Sequence, residues 1–296
     1  MKKVSIIIPT YKNRGGLIVS IGSALRQSYP KIEVIVVDDN SPDSLERKNT
    51  RQIMEAYSND SRVIYLQHTE NRNGAAARNT GINFSNGDYI AFLDDDDEFL
   101  ETKIELQVKY LESHNEYDAV YCYSFVNDKK EEIHPYEGDA SIPLLMCKTK
   151  MFTPSLMFRR EPVIEIGGFD ESFRRHQDYE LLLKFFSHGY KIGCLREYLT
   201  KVHSLGGNKP TPERMIDIKK QYLTAFEDVI SKQEENKPGI RKEILAANYE
   251  TIFESCLSQR RFKLALVLFV KYFFVSPSSF TRNFVHSNYM RFKRKI

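Results

Sequence analysis

The sequence predicts an α/β fold, a mainly parallel sheet flanked by helices and Rossmann-like in its first half, with a helical C-terminal appendage. Three observations carry this. Short β-branched runs alternate with longer helical patterns over the first hundred residues, those runs are apolar at consecutive positions, and from about residue 211 the chain reads as helix throughout. A strand that is apolar on both faces must be covered on both faces, as a parallel strand between helical layers is.

In order, VSIII (4–8), IEVIVVD (32–38), VIYLQ (63–67) and YIAFLD (89–94) read as strands, with helical patterns at 14–27, 43–57 and 75–85 between them. This is βαβ spacing. Three of the four strands end in distinctive polar residues: PTYKN after the first, DDNSPD after the second and DDDDE after the fourth. Ligands of open sheets sit beyond the carboxyl ends of the strands, so these ends converge on one candidate site. From 118 to 206 the pattern is mixed, with strand-like YDAVYCYSFV and PSLMFRR, a turn at GGFDE (167–171) and a helix over QDYELLLKFFSHG (177–189). The helical region that follows is broken at Lys237-Pro238-Gly239 and at Ser276-Pro277, where proline and glycine interrupt the hydrogen-bond ladder.

Composition excludes several classes. The 296 residues are 41% hydrophobic, enough for a sizeable core, and 43 Lys and Arg against 40 Asp and Glu leave +3, too little to argue for nucleic acid. Cys122, Cys147, Cys194 and Cys256 are widely separated without CxxC spacing, so they read as reduced core thiols of a cytosolic protein. The apolar run before Pro9 is too short for a signal-peptide core. The run at 264–275 is broken by Lys271 and falls short of the ~20 residues of a membrane span. A cytoplasmic protein is expected, with contact to the inner face of the cell membrane left open.

Three acidic or glycine-opened segments carry candidate chemistry. In VVDDNSPD (36–43), Asn40, Ser41 and Asp43 suit a turn and a helix N-cap, while Asp38 and Asp39 suit acceptance of hydrogen bonds from a base or ribose. In ENRNGAAARNTGI (70–82), Gly74 opens a small-residue helix with Arg78 one turn in. That is either an anion site with a bidentate arginine or tight packing with Arg78 in an ion pair. In FLDDDDEF (92–99), Asp97 is expected to cap a helix starting near Glu98, and the alternate carboxylates Asp94 and Asp96 suit one divalent cation. Oxygen ligands favour Mg²⁺ or Mn²⁺, bridging protein carboxylates to substrate phosphates.

The ordered set SIIIPTYKN, VIVVDDNSPD, NRNGAAARNTGI, YIAFLDDDDEF, GGFDESF and HQDYELLLKF resembles the family 2 glycosyltransferases, over residues 3–205. The resemblance implies the GT-A fold, with a nucleotide-binding half (1–100) and an acceptor half (101–210) followed by a helical region (211–296). It implies transfer of a sugar from a UDP-sugar donor to a glycan acceptor, which can be lipid-linked, with Mn²⁺ or Mg²⁺ as cofactor. Pro9, Thr10 and Tyr11 would line the base, with Tyr11 stacking on it. Asp39 would accept from the uracil-type edge, and Arg78 would approach the diphosphate or steady the acids. Asp94 and Asp95 would face the nucleotide-sugar and Asp96 the metal. His203 is either a packed residue or completes the metal or diphosphate site, with Gly206-Gly207 letting the following loop close. Asp178 matches the catalytic base of a Glu-Asp pair whose first position here is Gln177. One base and one metal imply inversion. A catalytically idle nucleotide-sugar-binding subunit of the same fold is the alternative, against which Asp94, Asp96 and Asp178 together argue.

For the tail, the apolar face around Leu264, Leu268 and Phe269 and the basic residues Arg291, Lys293, Arg294 and Lys295 leave three readings open: intramolecular packing, a homo-oligomer interface, or docking on anionic lipid.

Overall fold

β-Branched residues flanked by turns form strands where the pattern places them. In the computed structural model, which describes residues 1–12, 15–132, 134–203 and 210–277, the first half runs β1 (Val4–Thr10), α1 (Leu17–Leu25), β2 (Ile32–Asp38), α2 (Leu45–Glu55), β3 (Val63–Gln67), α3 (Gly74–Phe84) and β4 (Tyr89–Phe92). β1 is central, with β2 parallel on one side, β4 parallel on the other, and β3 beyond β2. Every residue of β2 is buried, as its continuous apolar pattern requires. Helix α3 lies so close to β1 that a Cβ on Gly81 would stand 2.4 Å from Ile7 Cγ2.

Proline inside β1 has a positional meaning. Asp39 N–H donates to Thr10 C=O, and Leu93 N–H donates to Ile7 C=O. Alternation therefore turns Pro9 to the same side as Ile7, and the register with β4 has already ended at Ile7–Phe92. The missing N–H falls where no partner strand remains. Pairing stops there, and the chain after β4 turns away carrying its aspartates.

The second half runs β5 (Glu98–Phe99), α4 (Lys103–Ser113), β6 (Ala119–Val126), β7 (Lys129–Lys130), α5 (Ser141–Leu145), β8 (Leu156–Arg159), α6 (Arg160–Glu165), α7 (Gln177–Ser187) and β9 (Ile192–Val202). The sheet order is β3-β2-β1-β4-β8-β6-β9-β5, with β7 paired to β6 alone. β8 is antiparallel to both β4 and β6, while β6 and β9 are parallel. The sheet is thus parallel over β1–β4 and mixed beyond them. Two local expectations are corrected. No helix begins at Glu98, because residues 98–99 pair with β9 and α4 starts only at Lys103, so Asp97 is not a helix cap. The cap of α2 is Ser44, whose Oγ accepts from Arg47 N–H at 3.1 Å, rather than Asn40, Ser41 or Asp43.

The chain divides into two compact units, residues within 1–140 and 149–205 forming one and residues within 141–148 and 206–296 the other. In the second, α8 (Pro212–Ala225), α9 (Glu227–Asn236), α10 (Ile240–Ser258) and α11 (Phe262–Val275) gather α5 from far back in the chain. Tyr222 Oη donates to Leu144 C=O at 3.0 Å and Asn248 Nδ2 to Leu145 C=O at 2.8 Å. Ala265, Leu268 and Tyr272 of α11 are buried, in clusters with Ile252, Cys256 and Ala246 of α10. Leu264 and Phe269 pack against the same clusters. Of the three readings left open for the face around Leu264, Leu268 and Phe269, intramolecular packing is the one the structure shows. The basic residues at 291–295 lie outside the described residues.

At the end of β2 the fold buries an ion pair. Arg47 is 1% exposed and Asp38 0%, with Arg47 Nε 2.9 Å from Asp38 Oδ2. Arg47 also donates to the carbonyls of Asp38, His68 and Asn40, and Tyr65 Oη donates to Asp38 Oδ2 at 2.6 Å. Asp38 is thus a structural carboxylate. Asp38→Ala leaves a guanidinium buried and uncompensated, and is expected to cost about 3–5 kcal/mol. Urea denaturation of the full chain measures it, and a loss under about 1 kcal/mol would show that the pair is effectively solvated.

Candidate functional site

Beyond the carboxyl ends of β1, β2 and β4 lies a cleft of about 220 Å³ lined by Pro9, Thr10, Tyr11, Asp39, Gly74, Ala77, Arg78, Asp94, Asp95 and Asp96. All eight residues expected to hold the nucleotide-sugar or its metal from these strand ends and α3 line it. Tyr11 is 46% exposed and offers an aromatic face, with Lys12 Nζ 5.1 Å from its ring centroid.

The four consecutive aspartates have four environments. Asp94 Oδ1 is bound by Arg78 Nη2. Asp95 turns back toward β1, accepting from Thr10 Oγ1 at 2.6 Å and from the Tyr11 backbone N–H. Burial pushes its pKa up to about 6, and the charges of Asp96 and Asp94 add to the rise. Asp96 exposes part of its surface to the cleft. Asp97 is 3% exposed and accepts from His203 N–H at 2.8 Å; burial first, and Asp94 second, push its carboxyl up. Such crowding of carboxylates leaves a local excess of negative charge at the cleft.

Glycine makes this turn possible. Gly16, with an ordinary φ of −77°, abuts the turn so tightly that a Cβ would lie 2.5 Å from Asp95 O and 2.8 Å from Asp96 Cα. Both are backbone atoms and cannot swing aside.

Asp39 has partners that the sequence does not place beside it. It is 2% exposed. Oδ1 accepts from His68 Nδ1 at 2.7 Å and Arg72 N–H at 2.8 Å, and Oδ2 from Asn71 Nδ2 at 2.8 Å and Asn73 N–H at 2.9 Å. Since the carboxylate only accepts, His68 Nδ1 carries the hydrogen. Four donors occupy the four in-plane acceptor positions of the group. A base edge can reach it only by displacing one of them, so the observed work of Asp39 is to fold the loop 71–73 against β2. That loop delivers Asn73, whose Oδ1 accepts from Ala75 N–H and Ala76 N–H at 2.8 and 3.2 Å. The α3 N-terminus is thereby capped from within, and Arg78 is its remaining anion-facing group.

Arg78 joins two distant segments. Nη2 binds Asp94, Nη1 donates to Gln177 Oε1 at 2.9 Å, and the guanidinium carbon stands 5.6 Å from the Phe169 ring centroid. Gly74 leaves room for this, since a Cβ there would be 3.1 Å from Arg78 Nη1. The clip brings the start of α7 to the cleft. His176, just before it, has φ of 57°, a left-handed backbone uncommon outside glycine and asparagine. Next to Gln177, Asp178 keeps some exposure, while protein atoms crowding its carboxyl push the pKa up to about 6, Arg78 opposing the rise and Asp94 adding to it.

His203 follows β9 and reaches the acidic turn by its main chain and its ring. Its ring Nδ1 lies 2.7 Å from Asp96 C=O; the carbonyl only accepts, so Nδ1 carries the hydrogen. Nε2 is 3.8 Å from Glu98 Oε1. Among the described residues no three His, Cys, Asp or Glu side chains converge as a ready-made metal cage. Gly206 and Gly207 lie outside the described residues. Signals for Thr10, Asp96 and Asp178 were present in the motifs, whereas His68 and Asn71 acquire their importance only through their contacts with Asp39.

The comparisons with known proteins agree with this geometry. Residues 5–183 match the profile of glycosyl transferase family 2. The amylovoran biosynthesis glycosyltransferase AmsB of Erwinia amylovora is 31% identical over 212 residues, covering 67% of this chain and 69% of that protein. An uncharacterized glycosyltransferase of Rickettsia felis is 32% identical over 210 residues, covering 69% of this chain and 33% of that protein, so the chain spans about a third of the length of that relative. The S. aureus TarS 1-349 crystal structure in complex with UDP-GlcNAc superposes with a TM-score of 0.69 at 17% identity, covering 94% of this chain and 82% of that one. At that identity the likeness shows the fold, the GT-A fold that the motifs imply. The chain belongs to glycosyl transferase family 2.

The packing of the acidic turn yields a test. Gly16→Ala is expected to destabilise the protein by about 1–3 kcal/mol through overpacking against backbone, read from the urea midpoint. A midpoint equal to wild type would mean that the turn yields freely.

Proposed function

We propose that the chain is an inverting glycosyltransferase, moving a hexosyl or N-acetylhexosaminyl group from a UDP-sugar to a hydroxyl of a glycan acceptor carried on a lipid, in synthesis of a bacterial surface polysaccharide or teichoic acid on the cytoplasmic side. The observation that carries the reading is the Arg78 clip, which ties Asp94 of the cleft to Gln177, the residue before Asp178. The name of the Erwinia relative supports a polysaccharide product, and the UDP-GlcNAc complex of TarS supports a UDP-sugar donor.

In this reading Pro9, Thr10 and Tyr11 hold the base, Tyr11 by stacking. Asp39 shapes the wall behind it through loop 71–73. Arg78 meets the diphosphate with the guanidinium edge that it now shares between Asp94 and Gln177, and Asp94 and Asp95 face the ribose and sugar side. Asp96 and His203 are the residues suited to Mn²⁺ or Mg²⁺. Their donor set fits: a carboxylate on a surplus of negative charge, and an imidazole whose Nδ1–H is held by a backbone carbonyl, the arrangement that presents Nε2 as a ligand. The ion, when bound, supplies positive charge to the departing diphosphate. Asp178 takes the proton of the acceptor hydroxyl as that oxygen attacks the anomeric carbon, and a raised carboxyl pKa suits a base working near neutrality. Residues 1–100 then serve the nucleotide, 101–210 the acceptor, and 211–296 form a separate helical region.

Two measurements test the roles. The carboxylate form of Asp178 predominates above about pH 6, so transfer should fall tenfold per unit as pH drops below that value. Asp178→Asn should slow transfer by ~10²–10⁴ above about pH 6, with the gap to wild type narrowing below it, while UDP binding persists; substantial residual transfer moves the base elsewhere.

Asp96→Ala should abolish the Mn²⁺-dependent part of UDP affinity measured by calorimetry. Unchanged affinity removes the metal from Asp96. UDP binding without turnover in a donor-hydrolysis and acceptor screen over several UDP-sugars would favour an idle nucleotide-sugar-binding subunit instead.

A further inference from the structure

Helix α11 is apolar on both its inner and its outer side, interrupted only by Lys263 and Lys271. Such a helix is normally covered on every side. Its inner face is covered by α10, but Phe262, Leu266, Val270 and Phe273, at i, i+4, i+8 and i+11, form a second stripe facing out, flanked by Val267 and Phe274. Exposure reaches 66% at Leu266 and 77% at Phe274. A contiguous outward stripe of this kind marks an interaction surface.

Charge selects the occupant. Lys263 and Lys271 stand on the exposed side of the helix, and among the described residues neither joins an ion pair. Arg261 is 3.8 Å from Glu213. From Ser255 onward the sequence holds no Asp or Glu, while lysine and arginine recur to its last residues. A two-fold contact with a second copy would set these like charges opposite one another with no acid of their own segment between them. An anionic lipid surface neutralises them and covers the aromatic and aliphatic stripe at once. The helix has 14 residues, about 21 Å at the α-helical rise, too short to cross ~30 Å of hydrocarbon, and no helix among the described residues is long and apolar enough to span.

We propose that the outer face of α11 is a docking surface for anionic lipid, lying in the interface with Phe262, Leu266, Val270, Phe273 and Phe274 buried and Lys263 and Lys271 among the headgroups. This surface is independent of the transfer chemistry.

The test is co-sedimentation of the full chain with phosphatidylglycerol–phosphatidylcholine vesicles and with pure phosphatidylcholine vesicles, at low and high salt. Binding should require the anionic lipid and weaken with salt. Leu266→Asp with Phe274→Asp should lower binding more than tenfold while the urea midpoint stays near wild type, since both side chains are exposed. Lys263→Gln and Lys271→Gln should each weaken binding about fivefold, a pair of variants that leaves the apolar stripe intact. Absence of binding by the wild type, or full binding by the double aspartate variant, overturns the proposal. So does a change from oligomer to monomer in the aspartate variant with no lipid binding by the wild type, which would assign the face to a second copy.

Discussion

Six carboxylates end on one edge of a parallel sheet, and the structure around them is arranged to offset their mutual repulsion. Five of them are held by different partners. Asp38 has the buried Arg47, Asp39 has four hydrogen-bond donors, Asp94 has Arg78, Asp95 has Thr10 and the Tyr11 N–H, and Asp97 has the His203 N–H. These devices pull in β1, the loop before α3, α3 itself and the end of β9. Charge compensation therefore does topological work: it fixes loops that hydrophobic burial alone would leave free, since loop backbone gains little from apolar packing.

Much of this was readable from residue order, for reasons tied to particular residues. Consecutive Val and Ile in β1 and β2 can only be covered on both faces, and Pro9 marks where pairing with β4 stops. The acids at strand ends drew attention to this edge, though Asp38 and Asp39 turn out to be held by structural partners. The partners of Asp39 were not readable: His68 is 29 positions away, and only the parallel pairing of β2 with β3 brings it close. Caps failed for a similar reason. Asn40, Ser41 and Ser44 are all competent caps by type, and the choice of Ser44 follows from Asn40 being engaged with Asp38 and the Lys12 N–H. Asp97 looked like a cap because sequence cannot foresee that residues 98–99 are claimed by β9.

The helical region shows the opposite limit. FKLALVLFVKYFFV is apolar at so many positions that periodicity does not distinguish its inner from its outer face. Leu268 and Tyr272 go inside because α10 offers Ile252, Cys256 and Ala246 at matching heights, and Leu266 and Val270 are left out. Similarly, α5 belongs with α8 and α10 through Tyr222 and Asn248, polar residues on otherwise ordinary helices. Division of a chain at one position cannot express such an excursion.

Gln177 is the departure from the family pattern with the clearest physical consequence. An acid at this place would put Arg78 between two carboxylates, Asp94 and the acid, and its charge would be more than cancelled. The amide of Gln177 accepts from Nη1 through Oε1 and donates through Nε2 to Phe173 C=O at 2.8 Å, so it orients the guanidinium without neutralising it. The Arg78 charge is met by one carboxylate, Asp94, rather than two, and no like charge stands next in sequence to Asp178 on its N-terminal side. The rise in the Asp178 pKa then comes first from the crowding of its carboxyl rather than from an adjacent acid. Substitution of a charge by an isosteric amide thus keeps the geometry of the clip while leaving the Arg78 charge opposed by Asp94 alone of the two.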